Sequence, residues 1–112
     1  MKCQKCGKEF EEKEIETSHD VPTYLFRGIR KIRKQKADKY GRHNLCKSCH
    51  SRYEQFILNT LFLNLFRHEI DLSKRDIIYY MSLIKNKCNN SEIQKKCIKI
   101  CLKQKEDFFN DT

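Results

Sequence analysis

Four cysteines are spaced as two pairs that can close on one metal ion: Cys3-Gln4-Lys5-Cys6 near the start of the sequence, and Cys46-Lys47-Ser48-Cys49 farther along. A C-x-x-C turn points two thiolates at a common position and directs backbone N–H groups at the sulfurs. Two such knuckles therefore supply the tetrahedral ligand set of a structural zinc site. Gly7, directly after Cys6, suits the left-handed backbone that such a turn often needs. The other chemistry of C-x-x-C is a redox dithiol, which normally takes one pair on a βαβ scaffold that this chain lacks. Cys88, Cys97 and Cys101 do not have the spacing of a ligand set. Cys97 and Cys101 stand four apart, on one helical face with Ile93 and Ile100, and read as small buried hydrophobes rather than a second metal site. A closed four-thiolate site has no place for a substrate, so reaction chemistry has to come from other residues.

The histidines provide it. Glu16-Thr17-Ser18-His19-Asp20-Val21-Pro22, followed after a basic segment by Leu45-Cys46-Lys47-Ser48-Cys49-His50, resembles the HNH endonucleases. The pattern of that family runs roughly E-x-[H/D]-H-x-x-P and then N-L-x-x-L-C-x-x-C-H. The likeness covers residues 3–50, under half of the chain. It implies two strands and a helix around one catalytic divalent metal, stapled by the same four-cysteine zinc.

Carried over residue by residue, the resemblance makes His19 the general base, since imidazole titrates where a water must be deprotonated near neutral pH. It makes His50 a ligand of the catalytic metal, Mg²⁺ or another divalent ion, which polarises the phosphate and stabilises charge on the leaving oxygen. Two positions depart from the pattern. The residue before the base, His or Asp in the family, is Ser18, and the Asn expected nine residues before His50 is Gly41. Glu16 and Asp20 share the strand face of Ser18 by alternation and are the candidates to replace the missing ligand. The chain reads as a divergent or degenerate member of such a family.

Taken without the resemblance, each residue has an ordinary reading as well. His19 can cap a turn, and His50 can sit on a helix surface beside its knuckle. His43 and His68 have no supporting context and read as ordinary residues. Two other functions therefore stay open beside a DNA endonuclease: a non-catalytic zinc-stapled nucleic-acid-binding module, and a protein-interaction adaptor.

The elements that must position these residues follow from local pattern. Glu9, Glu11, Glu12 and Glu14, together with Glu16, form an acidic stretch that reads as a solvated hairpin face. The segment from Glu16 is consistent with a strand leading into a loop at Pro22. From the second knuckle to about His68 the pattern is helical. Its middle, from Phe56 through Leu58 and Leu61 to Phe66, is apolar nearly all round, which demands burial by neighbouring helices or a second subunit. Asp71 or Ser73 can cap a second helix through Ile77, Ile78, Met81 and Ile84, and Ser91 a third ending near Phe109. The expected fold is thus α+β: a small zinc-stapled ββα-metal core over residues 1–55, then a helical extension of about three helices over 56–112. The extension packs on the core or forms a homodimer around Leu58–Phe66.

Charge points to the partner. The chain carries 24 Lys+Arg against 15 Asp+Glu, a formal charge of +9, which favours a polyanion. Arg27, Arg30, Lys31, Arg33, Lys34, Lys36, Lys39 and Arg42 are concentrated in one segment, either a helical turn at Ile29 and Ile32 or a mobile loop, and are the candidate contacts to a DNA backbone. The N-terminal residues lack the apolar stretch of a signal peptide, and the most apolar segment is too short to span a bilayer. A cytoplasmic protein is expected, where paired cysteines more often bind metal than form disulfides.

Overall fold

The computed structural model describes residues 1–69 and 76–110. Its architecture is α+β, with a two-stranded antiparallel sheet and four helices among the described residues.

The first knuckle turns on Gly7, which adopts φ 74°. Here the Cys3 N–H donates to the Lys8 carbonyl and the Gly7 N–H to the Cys3 carbonyl, both at 3.0 Å, and Lys2 bridges Glu9. Of the acidic stretch, Glu9 lies on this short hairpin, whereas Glu12–Glu14 form a single 3₁₀ turn ahead of strand β1, Ile15–His19. Strand β1 pairs antiparallel with β2, Arg42–Cys46, with Ile15 opposite Cys46, Ser18 opposite His43 and His19 opposite Arg42. Pro22, which has no N–H to continue a ladder, stands just beyond β1 and leads into a 3₁₀ turn at Thr23–Leu25.

The basic segment is a helix, α1, Arg30–Asp38. Of the two states its spacing allowed, the helix is taken, but not because the isoleucines are buried. Ile29 is 71% exposed and Ile32 38%, whereas Ala37 is fully buried and anchors the helix. The Arg27 side chain ties the segment down, donating from Nε to Asn89 Oδ1 at 3.0 Å and from its terminal nitrogen to the Asn89 carbonyl at 2.8 Å.

Helix α2, Lys47–Phe66, begins inside the second knuckle, so the residue after the last cysteine falls in its first turn. It stops where Arg67 turns left-handed at φ 60°, with the Arg67 N–H donating to the Leu63 carbonyl at 2.9 Å. Tyr53, Ile57, Leu58, Leu61 and Phe62 are buried. Helices α3, Ile77–Lys87, and α4, Ser91–Asn110, cover them. The nearly all-round apolar surface of α2 is therefore satisfied mostly within the chain, leaving Leu63 40% exposed.

Asp76 caps α3, its carboxylate accepting from the Tyr79 N–H at 3.2 Å. The cap positions read from sequence, Asp71 and Ser73, lie outside the described residues. For α4 the cap is Asn90, one residue before Ser91, with Oδ1 accepting from the Glu92 and Ile93 N–H groups at 2.9 and 3.2 Å. The preceding turn, in which the Asn90 N–H reaches the Lys87 carbonyl, brings the asparagine to that position.

One hydrophobic cluster runs from Cys3 and Leu45 through α2 to Ile84, Cys97, Cys101 and Phe108. The 55/56 boundary falls inside α2. Cys88, Cys97 and Cys101 are small members of this core, at 4%, 0% and 0% exposure. No helix among the described residues is long and apolar enough to cross a membrane.

Candidate functional site

The two knuckles meet. The sulfurs of Cys3, Cys6, Cys46 and Cys49 all lie within 4.8 Å of one another, and among the described residues no other group of three or more such ligands converges in this way. A tetrahedral zinc with Zn–S bonds of about 2.3 Å sets its sulfurs roughly 3.8 Å apart, so the arrangement fits a metal ion such as zinc. The polar surroundings fit it too. Burial opposes ionisation of Cys3, but the backbone amides of Cys46, Cys6 and Lys5, together with the Cys6 thiol, outweigh it and draw the thiol down to about 6. Cys49 is pushed up to about 12 by burial and by the Cys46 and Cys3 sulfurs beside it, a crowding of thiolates that a bound cation relieves. The knuckles are also tied by backbone: the Gln4 N–H donates to the Asn44 carbonyl at 3.0 Å, and the Asn44 N–H donates to the Gln4 side chain.

Beside this cluster, β1 and α2 form a cleft of about 330 Å³ lined by Ser18, His19, His50, Glu54 and the α1 residues Arg30, Arg33 and Lys34, among others. His19 and His50, far apart in sequence, thus face one space. His50 sits between two carboxylates, with Nδ1 3.0 Å from Glu16 Oε2 and Nε2 3.2 Å from Glu54 Oε1. The Glu54 carboxylate raises the His50 pKa above the usual imidazole value; burial works against this and Glu16 adds to it. His19 is held differently, Nε2 lying 2.7 Å from Asp38 Oδ1 at the end of α1. Ser18 is buried, and its Oγ has no hydrogen-bond partner among the described residues.

One imidazole, His50, and one carboxylate, Glu16, meet here, but His50 Nδ1 and Glu16 Oε2 stand 3.0 Å apart as a hydrogen-bonded pair that would have to open to admit a hard divalent ion. An ion such as Mg²⁺ keeps several waters, so one imidazole and one carboxylate can suffice from the protein.

Asp20, the other candidate to replace the ligand missing at Ser18, is committed elsewhere. Its Oδ1 lies 2.5 Å from His43 Nδ1, its Oδ2 2.9 Å from Lys105 Nζ, and its backbone carbonyl accepts from the Tyr53 hydroxyl at 2.6 Å. Burial raises the Asp20 pKa, but His43 and Lys105 more than reverse this and hold it below the usual carboxylate value. This cluster also explains Gly41. The residue has φ 109°, and a Cβ there would run into the Asp20 carboxylate, so the asparagine of the family pattern has no room.

The basic candidates separate into groups. Arg30, Arg33 and Lys34 line the cleft. Arg27 is engaged with Asn89, Lys36 donates to the Arg27 carbonyl at 3.3 Å, and Arg42 Nε lies 3.7 Å from Asp38. Lys31 and Lys39 are exposed. Glu54 and Asp38 are not among the candidates the sequence offers, and His43, ordinary in sequence, is paired with Asp20. Glu54 carried a signal, since it stands four residues after His50 on a helix. Asp38 showed only as the one acid of a basic segment, and nothing local linked His43 to Asp20.

No protein-family model, no curated protein and no solved structure matches the chain.

Proposed function

We propose that the protein is a zinc-stapled, metal-dependent endonuclease of the HNH type that hydrolyses phosphodiester bonds in DNA. The observation that carries this reading is the shared cleft: His19 and His50 face one space walled by Arg30, Arg33 and Lys34. The antiparallel pair β1 and β2, with α1 inserted between them and α2 following directly, and with Cys46 and Cys49 at the β2–α2 junction, supports the same reading.

In this reading the zinc on Cys3, Cys6, Cys46 and Cys49 is a frame. Held by these four thiols, it would fix the N-terminal turn against the β2–α2 junction beside His50. His19 is the base. Asp38 accepts from Nε2–H, which fixes the tautomer and leaves Nδ1 to take a proton from the attacking water. His50 and Glu16 would hold the divalent ion, with Glu54 orienting the imidazole from its other nitrogen. That ion supplies Lewis-acid polarisation of the phosphate and relief of charge on the leaving oxygen. Arg30, Arg33 and Lys34 hold the flanking phosphates by an attraction that is independent of sequence and weakened by salt.

Cutting both strands of a duplex takes two sites. A second copy of the chain, docked where α2 leaves Leu63 uncovered, completes the proposal, and a monomer by light scattering at high concentration would remove this part of it. The decisive experiment is plasmid nicking with Mg²⁺ or Mn²⁺ by wild type, His19→Ala and His50→Ala. Loss of nicking in both variants, with binding retained in His19→Ala, is expected. Equal trace activity in all three proteins, with salt-sensitive binding intact, would leave a zinc-stapled nucleic-acid-binding module instead.

A further inference from the structure

A second basic surface lies away from the cleft, on a face to which the reading above gives no role. Where α1 ends, Tyr40 meets the outer side of α4 across an open groove of about 630 Å³, lined by Tyr40, Lys95, Lys96, Lys99, Ile98 and Leu102, among others. That volume is in the range, roughly 300–1,000 Å³, of surfaces that take small ligands or pieces of larger ones.

Three features of the groove select its occupant. First, Lys95, Lys96 and Lys99 are all exposed, and the acid in the lining is Glu92, which approaches Lys95 only to 4.0 Å. An exposed pair at that distance neutralises little, so the wall is cationic. Second, the Tyr40 ring is held nearly parallel to Phe26, at 6.0 Å between centroids and 16° between planes, while the residue remains 38% exposed. It is an aromatic surface kept in place by a buried neighbour. Third, Ile98, Ile100 and Leu102 give the groove an apolar component between the charges.

Lysines alone would suit any polyanion. Lysines beside a fixed aromatic ring and apolar side chains suit a strand whose bases are unpaired, because each such base has a face to stack and a phosphate to pair. A duplex keeps its bases stacked inside and could use only the lysines.

We propose that the Tyr40–α4 groove binds single-stranded nucleic acid, with a base on Tyr40 and the adjoining phosphates on Lys95, Lys96 and Lys99. The proposal rests on the nucleic-acid part of the preceding reading and does not depend on catalysis. Position supports it. Helix α1 runs from the cleft residues Arg30, Arg33 and Lys34 toward Tyr40, roughly 13 Å at 1.5 Å per residue. A strand in the groove can therefore continue along α1 into the cleft.

The test is fluorescence anisotropy of the metal-loaded full chain against a labelled oligothymidylate of about 20 nucleotides. A duplex of equal length serves for comparison, across a salt series. The triple variant Lys95→Gln, Lys96→Gln, Lys99→Gln should weaken oligothymidylate binding about tenfold or more and reduce the salt slope by roughly 2, at about 0.7 per phosphate. Tyr40→Leu should weaken it about tenfold with the slope unchanged, and Tyr40→Phe should bind like wild type. The lysine substitutions are on exposed positions, so they carry the test even if Tyr40→Leu melts early. The groove is overturned if the triple variant binds oligothymidylate within about twofold of wild type. Weakening by Arg30→Gln, Arg33→Gln, Lys34→Gln in that case would leave the cleft reading standing. Absence of binding by wild type to either probe would remove both.

Discussion

His19 and Asp20 are consecutive residues at the end of β1, and each finds a partner of the opposite kind on the segment that returns to β2. His19 Nε2 lies 2.7 Å from Asp38, with side chains 19% and 42% exposed, while Asp20 Oδ1 lies 2.5 Å from His43, with side chains 2% and 3% exposed. The chemistry is the same and the settings are opposite, because neighbouring residues of a strand point to opposite faces. The sealed pair is ringed by Tyr53 and Phe109 and tied to Lys105, so it joins the sheet to α2 and α4 and cannot reach a substrate. The open pair borders the cleft. A histidine–aspartate pair therefore says little about function until its access to solvent is known.

Four experiments bear on that contrast. The largest effect is on the frame both pairs share. Stripping metal with a chelator, or Cys46→Ser with Cys49→Ser, removes an interaction that in zinc-finger peptides amounts to about 10–16 kcal/mol. Elemental analysis should find one zinc per chain before stripping, and near-ultraviolet circular dichroism should show both pairs losing their fixed surroundings afterwards. If the metal-free chain keeps its dichroism and melting temperature, the thiol cluster is not the frame.

The sealed pair comes next. Asp20→Ala leaves His43 and Lys105 without their carboxylate and should cost about 3 kcal/mol in urea unfolding. The pH dependence has a definite sign. The Asp20 pKa is lowered in the folded chain, so its stabilisation is present above the unfolded value and is lost as pH falls through the folded one. The gap in stability between wild type and Asp20→Asn should therefore hold at neutral pH and shrink below about pH 4. A gap that stays constant to pH 2.5 or so would place the effect in packing instead of charge.

The open pair should behave in the reverse way. Asp38→Ala is expected to slow nicking about 10–100-fold, the usual cost of losing a residue that orients a functional histidine. Its stability should change by no more than about 0.5 kcal/mol, as for other exposed positions. Asp38→Asn, which can still accept from Nε2–H, should recover part of the rate at unchanged DNA affinity. A large loss of stability with an unaltered rate would make this pair as structural as the other.

The smallest effect belongs to Arg42, whose Nε stands 3.7 Å from the same Asp38 oxygen that His19 meets at 2.7 Å. Both residues are exposed, and such pairs contribute about 0–1 kcal/mol. Arg42→Gln should leave both melting temperature and nicking nearly unchanged. A loss as large as that of Asp38→Ala would shift the role of Asp38 from His19 to Arg42.

Much of the molecule was legible because it is written in short spacings. The first knuckle is a local turn whose glycine sits at φ 74°, and the long helix that begins in the second knuckle shows in an unbroken helical pattern. The α4 cap was legible to within a residue, Asn90 serving beside Ser91, since neighbouring polar residues compete on nearly equal terms, whereas the α3 cap, Asp76, is not among the residues the pattern offers. The acidic stretch was less so. Four of its glutamates are exposed, but Glu16 leaves the group to meet His50 from across the sheet. The basic segment was ambiguous because its visible apolar residues, Ile29 and Ile32, are not the ones that anchor it.

Residue types and spacing alone thus determined which four sulfurs could share an ion and that His50 would follow the second knuckle into a helix. Tertiary structure decided the rest. Gly41 is forced by a carboxylate that folding brings against it, and Asp20 is withdrawn from the cleft by His43 and by Lys105 near the far end of α4. His43, unremarkable in sequence, becomes the most enclosed histidine among the described residues, while His19 stays open to solvent. Local spacing specifies which groups a turn or helix presents together. Which of those groups is sealed, and which remains free for chemistry, depends on what packs over it from distant parts of the chain.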